Sequence, residues 1–169
     1  MRKLFLLLIF LGAVQLYSQG ANYPYIMNNG TIFIDAGVGF GLKIETEMLC
    51  PPLTVSMDIA IPIIGFPISI GLITGYLSES GNNIDLSGFL VAGRIAYHLN
   101  LFSKLSRLDP YILLTIGGIA AEINNHSKGY FWFGVCAGAR YFFLPNFGAF
   151  TELGFDSVQI VRLGLSFKI

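Results

Sequence analysis

From Thr31 the chain alternates without a break. Ile32, Ile34, Ala36, Val38, Phe40 and Leu42 occupy one phase, and Thr31, Phe33, Asp35, Gly37, Gly39, Gly41 and Lys43 the other. Successive side chains of a strand point to opposite faces. A period of two over this length therefore defines a strand with one apolar face and one small-or-polar face. The rhythm returns from Leu53, where Leu53, Val55, Met57, Ile59 and Ile61 oppose Thr54, Ser56, Asp58 and Ala60. It closes the chain as Val161, Leu163, Leu165, Phe167 and Ile169 against Arg162, Gly164, Ser166 and Lys168.

Faces this apolar need an apolar solvent or a partner layer. The 169 residues are 54 % hydrophobic and 12 % charged, against about 25 % charged in an ordinary soluble domain. Too few polar residues remain to coat a surface in water, which points to a membrane. Ile59 to Leu77 runs 19 residues without a charge, the length of a spanning helix. Pro62, Gly65, Pro67, Gly71 and Gly75 interrupt it, and an interior proline costs a helix about 3 kcal/mol. Strand alternation fits instead, with Phe66, Ile68, Ile70, Leu72, Thr74 and Tyr76 opposite Pro67, Ser69, Gly71, Ile73 and Gly75.

Three further segments take the same template directly. Phe89, Val91, Ile95 and Tyr97 oppose Gly88, Ala92, Arg94 and His98; Phe131, Phe133, Val135 and Tyr141 oppose Gly134, Gly138 and Arg140. Ala149, Thr151, Leu153 and Phe155 oppose Gly148, Phe150, Glu152 and Gly154. Tyr111 to Ala120 is ambiguous in phase, and the reading with Ile112, Leu114 and Ile116 outward is favoured. The count is eight. Strands in hydrocarbon must close on themselves, because an open edge finds no water. The fold class is thus all-β, an eight-stranded antiparallel transmembrane up-and-down β-barrel of tilted strands about 9–11 residues long.

A cleavable signal peptide precedes it. Arg2 and Lys3 lead an apolar run from Leu4 to Val14, and Ser18 and Gly20 place small residues before Ala21. The chain divides into a signal peptide over 1–20, a short leader over 21–30 and the barrel over 31–169. Residues 64–65, "LNLFSKLSRLD" and Leu144-Pro145-Asn146 read as connections at the end that holds the termini. "KIETEMLCPP", "SESGNN", "EINNHSKG" and "FDSVQ" read as loops at the other end.

Six charges interrupt the apolar strands, and all fall on the inward phase: Asp35, Asp58 and Glu152 against Arg94, Arg140 and Arg162. An arginine on the lipid face would cost about 2–4 kcal/mol at the midplane. Inside, the six form a mutually compensated network. The numbers of Arg140 and Glu152 centre on Asn146, so a three- or five-residue turn there would make them direct cross-strand neighbours, whereas a two-residue turn would shift the register and break the pairing. With Phe33, Tyr130, Trp132 and Phe142 they would fill an interior that eight strands leave only side-chain wide. An open pore is not expected.

Other chemistry finds little support. No basic patch or charge run suggests nucleic acid. Two histidines and two separated cysteines lack metal-ligand spacing, and no cofactor is expected. "GVGFGL" and "GVCAGAR" open no helix, so they cradle no phosphate. Cys50, at a strand or loop boundary, and Cys136, mid-strand, argue against a disulfide. His126 and Ser127 are adjacent and face opposite ways, which argues against a base–nucleophile pair; His98 is expected as a rim or lumen hydrogen-bonding residue. Tyr76, Tyr97, Tyr141 and Phe155 read as membrane-interface aromatics.

"GARYFF" followed by "NFGAFTELG", the "YHL" and "LDPY" segments, and the closing "GLSFKI" resemble the small eight-stranded outer-membrane barrels of diderm bacteria, the OmpX-like and OmpA transmembrane-domain type. The resemblance implies a bacterial outer-membrane location after export through the inner membrane. It also implies a structural or surface-interaction role through short outer loops, with no enzymatic activity. Implied partners are outer-membrane lipid and lipopolysaccharide, a surface ligand or host molecule, and the barrel-assembly machinery during biogenesis. That machinery reads a C-terminal signal, here Leu163, Leu165, Phe167 and Ile169, with the aromatic two residues before the end. Two alternatives stay open. One is an OmpW-like conduit for small hydrophobic molecules, suggested by inward Leu86, Leu90 and Ile73; the other is a lipid A-modifying barrel enzyme.

Overall fold

A computed structural model of the chain describes residues 27, 29–40, 43–44, 47–48, 52–61, 66–81, 84–99, 107–124, 126–156 and 159–169. Eight strands form one closed barrel. They are β1 (Ile32–Phe40), β2 (Leu53–Ala60), β3 (Ile68–Gly81), β4 (Ile84–His98), β5 (Leu108–Ile123), β6 (His126–Phe142), β7 (Phe147–Asp156) and β8 (Val161–Lys168). Each is antiparallel to its sequence neighbour, and β1 closes on β8 from Phe33↔Lys168 to Phe40↔Val161. Lys43–Ile44 and Glu47–Met48 make a separate two-residue ladder between β1 and β2. The segments expected as signal peptide and leader, up to residue 26, lie outside the described residues, as does Cys50.

Alternation places the side chains as the pattern requires. Leu53, Val55 and Met57 are exposed while Thr54, Ser56 and Asp58 are buried. The same holds on β3 for Ile70, Leu72 and Tyr76 against Ser69 and Ile73. On β5, where phase was ambiguous, Tyr111, Leu113 and Thr115 are buried and Ile116 faces out. The outward set makes an apolar belt around the whole barrel. Aromatics mark its limits: Tyr76 and Phe155 toward the loop end, Tyr97 and Tyr141 toward the end where β1 starts and β8 stops.

The connections differ from the sequence expectation. "SESGNN" and "EINNHSKG" are mostly strand, because β3 continues to Gly81 and β5 to Ile123, with β6 restarting at His126. Between β5 and β6 only 124–125 intervene, and Asn124 adopts a left-handed φ of 49°, the conformation a two-residue hairpin demands and asparagine tolerates. Polar residues on both faces signal a loop to a pattern search, yet they also suit strands that have left hydrocarbon. Likewise "LNLFSKLSRLD" ends inside β5, which starts at Leu108 and so carries Asp109 into the barrel.

The result is lopsided. β3 to β6 run 14 to 17 residues, while β1, β2, β7 and β8 run 8 to 10. Among the described residues, β3 is laddered on its β2 side only as far as Tyr76, and β6 on its β7 side only from Gly134. Among these residues, half of the wall thus projects beyond the closed cylinder at the loop end.

Leu72 lies mid-belt and is 62 % exposed, whereas Ser78 is exposed on the projecting wall. Leu72→Arg should destabilise the lipid-embedded barrel by about 2–4 kcal/mol and Ser78→Arg by about 0–1 kcal/mol, measured by urea unfolding from lipid vesicles.

Candidate functional site

Three arginines converge inside the barrel, one each from β4, β6 and β8. Arg140 donates through Nε to both Asp35 carboxylate oxygens at 3.2 Å. Its Nη2 reaches Asp35 Oδ2 and Asp58 Oδ2, each at 2.7 Å, and its Nη1 reaches Asp109 Oδ2 at 3.3 Å. The guanidinium also lies over the rings of Phe33 and Tyr111, at 4.6 and 4.4 Å from their centroids. Cation–π contact of this kind strengthens when water is excluded.

Arg94 and Arg162 share the remaining acceptors. Arg94 binds Glu152 Oε1 at 2.8 Å and Ser56 Oγ at 3.1 Å, and its Nε stands 3.2 Å from Asp58 Oδ1. Arg162 binds Glu152 Oε2 at 3.1 Å and donates through Nε to Thr54 Oγ1 at 2.7 Å. Thr54 passes the interaction on, donating to the Gly37 carbonyl at 3.2 Å. All six charges read from the sequence thus meet in one cluster, and each is at most 3 % exposed.

The pairing of Arg140 and Glu152 is corrected. Arg140 opposes Phe150, and Glu152 opposes Gly138. The turn is centred on Pro145, not Asn146, with Leu144 N–H donating to the Phe147 carbonyl at 3.0 Å. Moving a turn centre by one residue moves each partner by two, which preserves the face and changes the neighbour. Glu152 directly opposes Arg162 instead. Gly138 is what the register requires: the Tyr111 ring lies across it, where any Cβ would collide. From there the Tyr111 hydroxyl donates to Glu152 Oε1 at 2.8 Å.

Sequence reasoning missed Asp109 and the chain of contacts that begins there. His98 Nδ1 lies 2.7 Å from Asp109 Oδ1, and His98 Nε2 lies 2.9 Å from Ser69 Oγ. The order matches a nucleophile, base and orienting acid. Ser69, however, is 1 % exposed, so its hydroxyl meets no substrate. The trio instead satisfies three buried polar groups near the end where β1 starts and β8 stops, with His98 stacked on Phe33 at 5.7 Å. The "LDPY" segment held a detectable signal, since Asp109 and Tyr111 share the inward phase with Leu113. His126, by contrast, is exposed at the β5–β6 tip and contacts the Asn124 carbonyl at 2.9 Å.

Toward the loop end the interior turns apolar. Ile73, Leu77, Leu90, Ile119 and Trp132 pack into one buried cluster with Ala92 and Ala121, against which Tyr130 rests. Ile73 and Leu90 face inward as expected; the Leu86 side chain lies outside the described residues. Cys136 also faces inward, beside Tyr111 and Leu113. Among the described residues no group of His, Cys, Asp and Glu could hold a metal ion. At the chain's end Leu163, Leu165, Phe167 and Ile169 all point outward into the belt.

An outward apolar belt around a closed antiparallel cylinder with inward charges defines a transmembrane β-barrel. No family model and no curated protein sequence matches the chain. Solved structures share its fold. A major outer membrane protein from Thermus thermophilus aligns with a TM-score of 0.52 at 14 % identity, over 84 % of this chain and 100 % of that one. Neisserial surface protein A aligns with a TM-score of 0.51 at 14 % identity, over 84 % and 97 %. Ail, the attachment invasion locus protein of Yersinia pestis, solved with the heparin analogue sucrose octasulfate, aligns over 83 % and 96 % at 14 % identity and a TM-score of 0.48.

Removing one partner of a buried ion pair leaves the others uncompensated, at a cost of about 3–5 kcal/mol. Arg140→Met should therefore lose about that much unfolding free energy. Arg140→Lys should recover only part of it, because an ammonium cannot span three carboxylates in a planar fork. Denaturant unfolding of the reconstituted variants, read by the heat-modifiable gel band, checks both.

Proposed function

We propose that the chain is an integral outer-membrane protein with a plugged lumen that acts through its projecting wall. The termini lie on the periplasmic side, and the four long strands rise from the outer leaflet. The wall carries the reading: β3 to β6 outrun their neighbours, and among the described residues no strand is laddered to the outer flanks of β3 and β6. An exposed sheet edge is a template for an extended segment of another molecule. A surface ligand or host molecule is thus met by strands more than by loops.

The plug is the charge network with Phe33, Trp132 and Phe142, all buried. The packing of Ile73, Leu90 and Trp132 speaks against a hydrophobic conduit, and the sealed Ser69 against lipid A modification. Residues 1–20 serve as the export signal and 21–30 as a periplasmic leader before the barrel of 31–169. Leu163, Leu165, Phe167 and Ile169 are read by the assembly machinery. Lipopolysaccharide and outer-membrane lipid surround the belt.

Planar bilayers holding the folded protein should show no stepwise conductance; discrete channels would sink the plug. On intact cells, Ser127→Cys should react with a membrane-impermeant maleimide and Asn146→Cys should not. Replacing 78–87 and 120–129 each by Asn-Gly joins the opposed pairs Leu77/Gly88 and Ile119/Tyr130. That trimmed barrel should keep its heat-modifiable band and lose any surface adherence the full chain confers. Unchanged adherence would reject the wall as the acting surface.

A further inference from the structure

The buried charges are sorted by strand. β1 and β2 bury Asp35 and Asp58, both acidic. Across the β1–β8 seam, β6 to β8 bury Arg140 and Arg162 against Glu152, and Lys168 adds a half-buried cation at the rim. The contacts that cross the seam join these two groups. Arg140 reaches Asp35 and Asp58, each at 2.7 Å, and Arg162 reaches Thr54 at 2.7 Å and Ser56 at 3.3 Å. With the seam parted, the adjoining β5 still offers Arg140 the Asp109 carboxylate at 3.3 Å, whereas Asp35 is carried away from its arginine.

The middle of the chain is organised without the seam. Ile73, Leu77, Leu90, Ile119 and Trp132 all come from β3 to β6. These strands follow one another directly, with only 82–83 between β3 and β4 and 124–125 between β5 and β6. Short connections make such pairing cheap in loop entropy, whereas the seam must bring together the first and last strands of the barrel. Backbone ladders are antiparallel at every junction, the seam included, so the sorted charge is what sets the seam apart. We infer that the seam is an electrostatic clasp. Acidic β1 and β2 and basic β6 to β8 attract each other, and this attraction closes a sheet already organised around Trp132. Closure driven by backbone pairing alone would be blind to salt and to the sign of these side chains.

The clasp rests on the membrane residence proposed above, and two readouts keep the readings apart. The full mature chain is folded from urea into vesicles of zwitterionic phosphatidylcholine. Trp132 is the chain's one tryptophan, so its fluorescence reports the middle strands, while the heat-modifiable band reports the closed barrel. Raising salt from about 0.1 M to about 1 M shortens the reach of charge from about 10 Å to about 3 Å. The band should then appear about tenfold more slowly, the low end of electrostatic steering, while Trp132 burial keeps its rate. At low salt Asp35→Asn should delay the band to a similar degree, leave Trp132 burial unchanged and respond less to added salt. Glu122→Gln, which removes an exposed carboxylate from the outer face of the wall, should change neither rate. A wild-type band rate that ignores salt overturns the clasp, as does slowing of the band and Trp132 burial in step. Asp35→Asn closing at the wild-type rate also overturns it; a variant that never closes leaves the wild-type salt comparison to decide. A wild type with no heat-modifiable band overturns the barrel reading itself.

Discussion

The structure depends on Arg140 having three carboxylates within reach at once. Asp35 arrives from β1, Asp58 from β2 and Asp109 from β5, while Arg140 itself comes from β6. One guanidinium thus ties strands that are not neighbours in the wall, which backbone ladders cannot do. Taking such groups out of water costs several kcal/mol per ion, and the cost is recovered only when every donor and acceptor is engaged. Among the described residues, three buried arginines face four buried carboxylates, with Lys168 at the rim over Phe142. The near balance of charge lets so much of it sit inside a cylinder this narrow.

Width is the second constraint, and glycine answers it. Phe150, Gly164 and Gly37 occupy one cross-strand row, and the Phe150 ring lies over both glycines while Arg162 lies over that ring at 4.6 Å. Tyr111 over Gly138 repeats the arrangement one flank away. In each case a large side chain uses the volume that its neighbours forgo. The ring then holds an arginine or a glutamate in position, so glycine placement and charge geometry are one problem.

Much of this was legible in the sequence because a membrane wall enforces period two strictly. A residue out of phase would put a charge in lipid, so Asp35, Asp58, Arg94, Arg140, Glu152 and Arg162 announce their direction. Their partners are less visible. The Arg140–Glu152 pairing turned on whether Pro145 or Asn146 centred a turn, and alternation is blind to a shift that moves partners by two. Asp109 hid at a strand start beside Pro110, within a stretch that looked like a connection. His98 was placed near the rim correctly, but Ser69 and Asp109 reach it from strands whose relative stagger no local pattern encodes. The outer ends of β3 to β6 hid for a different reason. Once a strand leaves hydrocarbon both faces turn polar, and "SESGNN" then reads as loop.

The change of solvent along the axis also accounts for the two characters of the interior. Where all eight strands surround it, charge can be enclosed and fully paired, and Arg94, Arg140 and Arg162 occupy that part. Farther out, among the described residues, only β3 to β6 continue, and a half-open wall cannot seal an ion pair from water on every side. There the inner face behaves like one face of an ordinary soluble sheet, and Leu77, Ile119 and Trp132 are buried in a cluster that begins lower down, at Ile73 beside Ser56 and at Leu90 beside Gly75. Burial of apolar area drives that half, whereas hydrogen-bonded charge organises the other. The two halves meet at Ser56, which accepts from Arg94 and Arg162 and directly opposes Ile73, so the apolar cluster starts beside the network and carries on into the projecting wall through Leu77, Ile119 and Trp132.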